Sequence, residues 1–151
     1  PILQLDNGQL LTENVVIQQY LADQHHAYTL LPPMDDFSRY RVLEWLNFMA
    51  SDFHKSFSPL FNPNVSVDDE KTIFIPIILK KLDYLNNELT DKNYFVNDEF
   101  TLADAYCFVV LSWLKRFEIN LKEWPNLQHY SENIFKREAV QKTLTEEGIA
   151  D

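Results

Sequence analysis

The stretch Thr101-Leu102-Ala103-Asp104-Ala105-Tyr106-Cys107-Phe108-Val109-Val110-Leu111-Ser112-Trp113-Leu114 decides the fold. It opens with a hydroxyl, Thr101, three residues ahead of a carboxylate, Asp104, which is the spacing of a helix capping box. Asp stands where Glu is more usual, and its charge also suits the positive end of the helix dipole. From Ala105 to Leu114 the residues are apolar nearly all round. A helix without a polar face belongs in the centre of a bundle, enclosed by other helices. The segment therefore predicts a mainly α fold, and the neighbouring segments should wrap it.

Downstream, Trp124-Pro125-Asn126 introduces a helix over about Leu127 to Lys136, and a last helix spans about Glu138 to Thr145 with Gly148 beyond its end. Upstream, Ile75, Ile78, Leu79, Leu82, Leu85 and Leu89 keep a helical period within a helix expected from about Asp68 to Leu89. Pro76 sits inside that pattern and should kink the helix or mark its true start. Before it, Val42, Trp45, Leu46, Met49 and Phe53 form one apolar stripe on a long helix starting near Asp35 or Asp36 and ended by Phe61-Asn62-Pro63-Asn64. Leu30-Leu31-Pro32-Pro33 reads as an extended linker. The opening is different: Ile2 to Leu5 alternate as a strand, Asp6-Asn7-Gly8 is a turn signal, Leu10-Leu11 returns, and Thr12 can cap a helix over Glu13 to Asp23. Two short strands and one helix do not make a stable domain alone, so this ββα piece needs further strands or a partner. The expected organisation is residues 1–27 as the end of a second domain, 28–35 as linker, and 36–151 as an all-α domain. The chain opens on Pro1 rather than Met, as expected where a start has been removed or where the sequence is part of a longer protein.

Bulk properties narrow the function. Only two glycines occur, too few for a fold rich in tight hairpins. The formal net charge of -10 opposes binding to nucleic acid or to an anionic membrane surface, so neither is an expected partner. A small anionic ligand would need a local basic or amide-lined pocket. One cysteine, Cys107, leaves no intramolecular disulfide and fits a reducing compartment. Its place between Tyr106 and Phe108 reads as a buried core thiol. No apolar run of membrane-spanning length and no signal peptide is visible.

Among polar residues, Thr12-Glu13-Asn14 at a helix start reads first as a cap, although a carboxylate beside amide donors also suits a zwitterion. By helical projection Asn47, Ser51, His54 and Ser58 share a face opposite the Trp45/Met49/Phe53 stripe, with Tyr40 and Leu43 also on it. That mixture fits a cleft or subunit interface better than a solvated back. Asp23, His25 and His26 suggest a helix end rather than a metal site, because adjacent histidines diverge and no third ligand is evident. The pairs Asp35-Asp36, Asp68-Asp69 and Glu146-Glu147 read as caps and solvated termini.

Two stretches carry a family likeness. Pro1 through Gly8, followed by Leu11-Thr12-Glu13-Asn14-Val15-Val16-Ile17-Gln18-Gln19-Tyr20-Leu21-Ala22-Asp23, resembles the end of the thioredoxin-like domain of glutathione transferases. Phe100-Thr101-Leu102-Ala103-Asp104-Ala105 resembles the buried-helix capping motif of their all-helical domain. Between them, Glu44-Trp45-Leu46-Asn47-Phe48 and Phe53-His54-Lys55-Ser56-Phe57-Ser58-Pro59-Leu60-Phe61 are similar to the bacterial beta class.

The resemblance implies a cytoplasmic homodimer that uses glutathione as co-substrate, with no metal, and conjugates it to small electrophiles or reduces substrates with it, as in detoxification. It implies that Glu13 holds the γ-glutamyl ammonium and that Asn14, where Ser is usual, binds the γ-glutamyl carboxylate. Pro1 would lie at the turn whose preceding residue offers its backbone to the cysteinyl part, and that residue is absent here. Asn47, His54 and Lys55 would line the cleft, His54 in a supporting catalytic role and Lys55 adding positive charge. The family activates the sulfur with a Cys, Ser or Tyr near its N-terminus, a segment not among these residues, so the chain alone is expected to be inactive. The competing expectation is a non-catalytic binding or dimerisation module.

Overall fold

The computed structural model describes residues 1–149; Ala150 and Asp151, the end of the expected all-α domain, lie outside the described residues. Strands β1 (Ile2–Gln4) and β2 (Leu10–Thr12) pair antiparallel, with Ile2 opposite Thr12 and Gln4 opposite Leu10. Gly8 closes the turn at φ 84°, a conformation that costs glycine little, and Asn7 accepts the Gln9 N–H through its side chain. Helix α1 (Asn14–Gln24) follows directly. Thr12 does not cap it, contrary to expectation, because Thr12 is spent as the last residue of β2. The cap position falls to Glu13, whose carbonyl accepts the first intrahelical bond from the Ile17 N–H.

The expected extended linker is a turn in its first half. The N–H groups of Leu30 and Leu31 both return to the Ala27 carbonyl, and Leu31 is driven into the core. Helix α2 (Ser38–Phe48) starts slightly later than read, since the Asp36 carboxylate takes the Ser38 N–H and ends the linker first. The helical path then widens into a π turn (Met49–Phe53), resumes as α3 (His54–Phe57) and tightens into a 3₁₀ turn (Ser58–Phe61). Val42, Leu46, Met49, Phe53, Phe57 and Leu60 form the buried stripe along this path, while Trp45 is half-buried.

The next helix behaves as Pro76 demands. A short α4 (Val67–Asp69), capped by Ser66, opens into a π turn (Glu70–Phe74) before α5 (Ile75–Glu88) begins with Pro76 in its first turn. Proline has no N–H to give the preceding turn, so the ladder slips there instead of breaking. Helix α6 (Leu102–Ser112) is central, and it continues as a 3₁₀ turn through Phe117. Helix α7 (Pro125–Phe135) starts on its proline, and α8 (Glu138–Glu146) is amphipathic at the rim. Trp124 donates its indole N–H to Asp83, and Asn126 is held by Asn86, so α7 is pinned to α5.

Asp104 organises the centre. Its carboxylate has no exposure and accepts from the Thr101 N–H at 2.8 Å, the Thr101 hydroxyl at 2.8 Å, the Phe95 N–H at 3.2 Å and the Tyr130 hydroxyl at 3.1 Å. Burial pushes its pKa up, and these four donors pull against that. The α1 end is tied to α2 by Arg39, which is 6% exposed, grips both Asp23 oxygens at 2.9 and 2.8 Å and donates to the Pro32 carbonyl. The sequence reading of Asp23 as a helix-end residue holds, but its partner was not foreseen.

Asp104→Ala strands buried donors on three elements, at a cost of about 3 kcal/mol or more. The melting temperature should drop by roughly 6–12 °C, measured by thermal unfolding. A drop within about 1 °C would contradict the hub role.

Candidate functional site

The seam between the ββα piece and the bundle gathers most of the residues singled out from sequence. Glu13 sits at the start of α1 with φ 70° and ψ 115°, backbone that L residues rarely adopt. Such strain costs on the order of 1–3 kcal/mol and persists only where the surroundings impose it. The strand register that pairs Ile2 with Thr12 brings Pro1 alongside Glu13 at the same end of the ribbon. Both are exposed. The N–H groups of Asn14, Val15 and Val16 precede the first intrahelical bond and so remain available as donors.

Asn14 faces across the seam. Asn14 and Glu13 both bear on the Tyr106 phenol on α6, and its hydroxyl lies 2.7 Å from His54 Nδ1 on α3. His54 packs edge-on against Trp113, with ring centroids 4.7 Å apart. Burial pulls the imidazole below its ordinary pKa, and the ammonium of neighbouring Lys55 pushes the same way, so the ring is neutral at pH 7. Burial pushes the Tyr106 phenol up, the amide of Asn14 draws it down, and the charge of Glu13 raises it again. Beyond His54 an aromatic wall runs through Trp113, Phe57, Phe61 and Phe117, with the Arg116 guanidinium over Phe61.

Glu13, Asn14 and His54 are thus brought to one seam, and Lys55 is exposed beside His54. Asn47 is not brought with them. It stays on the exposed side of α2 with Ser51, whose hydroxyl bonds the Asn47 carbonyl. The projected common face assumed an unbroken α period; the wider π turn between the two residues rotates His54 toward α6. Sequence reading also missed Tyr106 and Trp113. A phenol within an otherwise apolar helix needs a polar partner, and that was the available signal.

A separate apolar groove of about 1150 Å³ runs between α6, α7 and α8, walled by Phe108, Val109, Phe135, Val140 and Leu144. It includes none of the seam residues. Cys107 is fully buried, and burial drives its thiol well above the ordinary range. Among the described residues, no cluster of three potential metal ligands occurs and no helix is long and apolar enough to cross a membrane.

A ββα ribbon laid on an all-helical bundle, joined through a helix start with strained backbone at Glu13, defines a mainly helical class of protein. Residues 48–138 match the family described as glutathione S-transferase, C-terminal domain. The chain is 40% identical over 149 residues to the glutathione S-transferase GstA of Escherichia coli O157:H7, covering 99% of this chain and 74% of that protein. A bacterial beta class glutathione S-transferase of Sphingomonas chungbukensis superposes with a TM-score of 0.92 at 38% identity, covering 99% of this chain and 74% of the other. A sphingomonad glutathione S-transferase solved in complex with glutathione superposes at 0.91 and 37% identity, with the same coverage. The chain belongs to the glutathione S-transferase family, an enzyme family, and its architecture is that family's C-terminal helical domain preceded by a thioredoxin-like fragment.

The depressed His54 pKa has a defined sign. As pH falls below the ordinary histidine value, the unfolded chain takes up the proton first, so stability declines through that window. An NMR titration of the His54 ring should give a midpoint below 6.5; one at or above it would contradict the burial against α6.

Proposed function

We propose that the seam is the glutathione site of a beta-class-like transferase. The observation that supports this is that Glu13 and Asn14 at the start of α1 and His54 on α3 all bear on the Tyr106 phenol at the seam. A γ-glutamyl group is a zwitterion. The Glu13 carboxylate takes its ammonium, and the free N–H groups opening α1, with the Asn14 side chain, take its carboxylate. Lys55 supplies positive charge to a tripeptide of net negative charge within a chain of net charge -10. Pro1 borders the cysteinyl part. Asn47, on the outer side of α2, serves a site only where another subunit meets that side.

In the reaction the glutathione thiolate attacks an electrophilic carbon; a C–S bond forms and the leaving group departs with its electron pair, or a second thiol takes part in a glutathione-dependent reduction. His54 acts in support, as a neutral hydrogen-bonding group near the sulfur. Exposed Phe61 with half-buried Trp113 and Phe117, backed by buried Phe57, suits an apolar electrophile. Buried Cys107 does not activate the thiol, so that group is expected from outside these 151 residues, and the chain alone is expected to bind without catalysing. Residues 1–27 act as the glutathione-binding remnant, 28–35 as linker and 36–151 as the helical domain. The working form is a cytoplasmic homodimer, supported by exposed Phe37 and Tyr40 on the α2 side and Ile77 and Tyr84 on α5, which adjoin through Trp45 and Phe48. The second reading, a non-catalytic binding or dimerisation module, draws on that same exposed face.

Conjugation of a chromogenic electrophile separates the readings. A form of full family length should turn over and the 151-residue chain should not. Equal rates in both would overturn the assignment of thiol activation to an outside segment, and dimers without turnover in either would favour the module. Glu13→Ala should weaken glutathione binding at least about tenfold by calorimetry, the scale of one charge-assisted contact. Unchanged affinity would remove Glu13 from the site.

A further inference from the structure

We infer that Arg116 turns the aromatic wall beside His54 into a subsite for aromatic electrophiles that carry a negative charge; this names a substrate class for the proposed transferase site and rests on that reading. The wall is built by one short element. Trp113–Phe117 is a 3₁₀ turn, and with three residues per turn it stacks Trp113 and Arg116 on one side. Phe61 meets that side from the end of the preceding helical path. Its ring lies 5.5 Å from Trp113 and 5.4 Å from Phe117, both edge-on, and the Arg116 guanidinium sits over it at 5.2 Å. Phe61 is 43% exposed, and Arg116 is exposed with it, so ring and charge are both open to a ligand.

Arg116 differs from the other three arginines in what its N–H groups do. Arg39 grips Asp23, Arg41 donates to Glu44, and Arg137 donates to the Tyr94 hydroxyl. Arg41 and Arg137 also lie over rings, so stacking on an aromatic face does not by itself leave an arginine unpaired. Among the described residues the ion pairs involve Arg39, Arg41, Lys81 and Lys142, and the sole contact recorded for Arg116 is the Phe61 ring. Even Glu118, two residues on, makes no ion pair with it. A ring accepts no ordinary hydrogen bond, so the guanidinium keeps its charge and its donors for an oxyanion. In a chain of net charge -10 an attraction for anions has to be local, and this is a place that supplies it. The order along the wall also sets a direction. His54 packs on Trp113 at 4.7 Å, and Arg116 lies beyond Trp113 over Phe61. An aromatic ring laid on the wall therefore points its reacting carbon toward His54 and its anionic substituent toward Arg116.

The test uses two unreactive probes on the 151-residue chain: meta-dinitrobenzene, and the dinitrobenzoate that adds one carboxylate to the same ring. Binding is followed by NMR at the Trp113 indole N–H. At low salt dinitrobenzoate should bind about two- to fivefold more tightly than dinitrobenzene, the range of an exposed ion pair, and added salt should shrink the difference. In Arg116→Gln the preference should vanish or reverse while the affinity for dinitrobenzene holds. Phe61→Leu should weaken both probes. Equal affinities in the wild type would overturn the proposal, as would an undiminished preference in Arg116→Gln or a Trp113 signal that neither probe moves. Loss of the preference in Lys55→Gln but not in Arg116→Gln would overturn it too. A chain that shows the Arg116-dependent preference but binds no glutathione would refute the glutathione reading alone.

Discussion

A carboxylate with no exposure to water, that of Asp104, accepts four hydrogen bonds at the head of the central helix, and the remaining architecture hangs from it. A buried carboxylate is costly unless its oxygens are satisfied, and here the donors come from the helix cap, from the loop at Phe95 and from α7 at Tyr130. The same four bonds therefore set the start of α6, the approach of the preceding loop and the seating of α7. The α6 start is also stitched to the linker, where the Leu102 N–H meets the Leu30 carbonyl. Tyr106, one turn further on, inherits its position from this anchoring.

The seam depends on two ties of different character. Arg39 holds the C-terminal end of α1 to the linker and to α2 by a bidentate, half-buried ion pair. The N-terminal end of α1 rests beside Tyr106 of the bundle, whose phenol feels both Glu13 and Asn14. With α1 tied at its C-terminal end and lying beside Tyr106 at its start, the strained Glu13 backbone is held by its surroundings. A ribbon of two short strands has little stability of its own, so its order is borrowed from the helices it lies on.

Much of this was legible in the sequence, for identifiable reasons. The capping pair Thr101/Asp104 and the apolar run behind it sit at fixed spacings that only a buried helix satisfies. In the apolar stripe from Val42 to Phe53, Val42, Leu46, Met49 and Phe53 are core and Trp45 is half-buried against it. What failed was local competition and register. Thr12 has the chemistry of a cap but was already committed to the β2 ladder. The π turn at Met49–Phe53 leaves no mark in residue type, so His54 could not be separated from Asn47 by projection. Glu13 and His54 were reached through family likeness, whereas Tyr106 lay inside a run that reads as pure core. The partner of Asp23 lies in another element, sixteen residues away, beyond what local pattern reveals.

The account stands on a pocket at the seam that accepts the γ-glutamyl end of glutathione. Its most direct measurement is a crystal structure of this protein soaked with glutathione. The tripeptide should lie along the start of α1, its ammonium against the Glu13 carboxylate and its carboxylate against the Asn14 and Val15 N–H groups. Glutathione seated instead in the groove between α6 and α8, with Glu13 and Asn14 turned into bulk water, would contradict it.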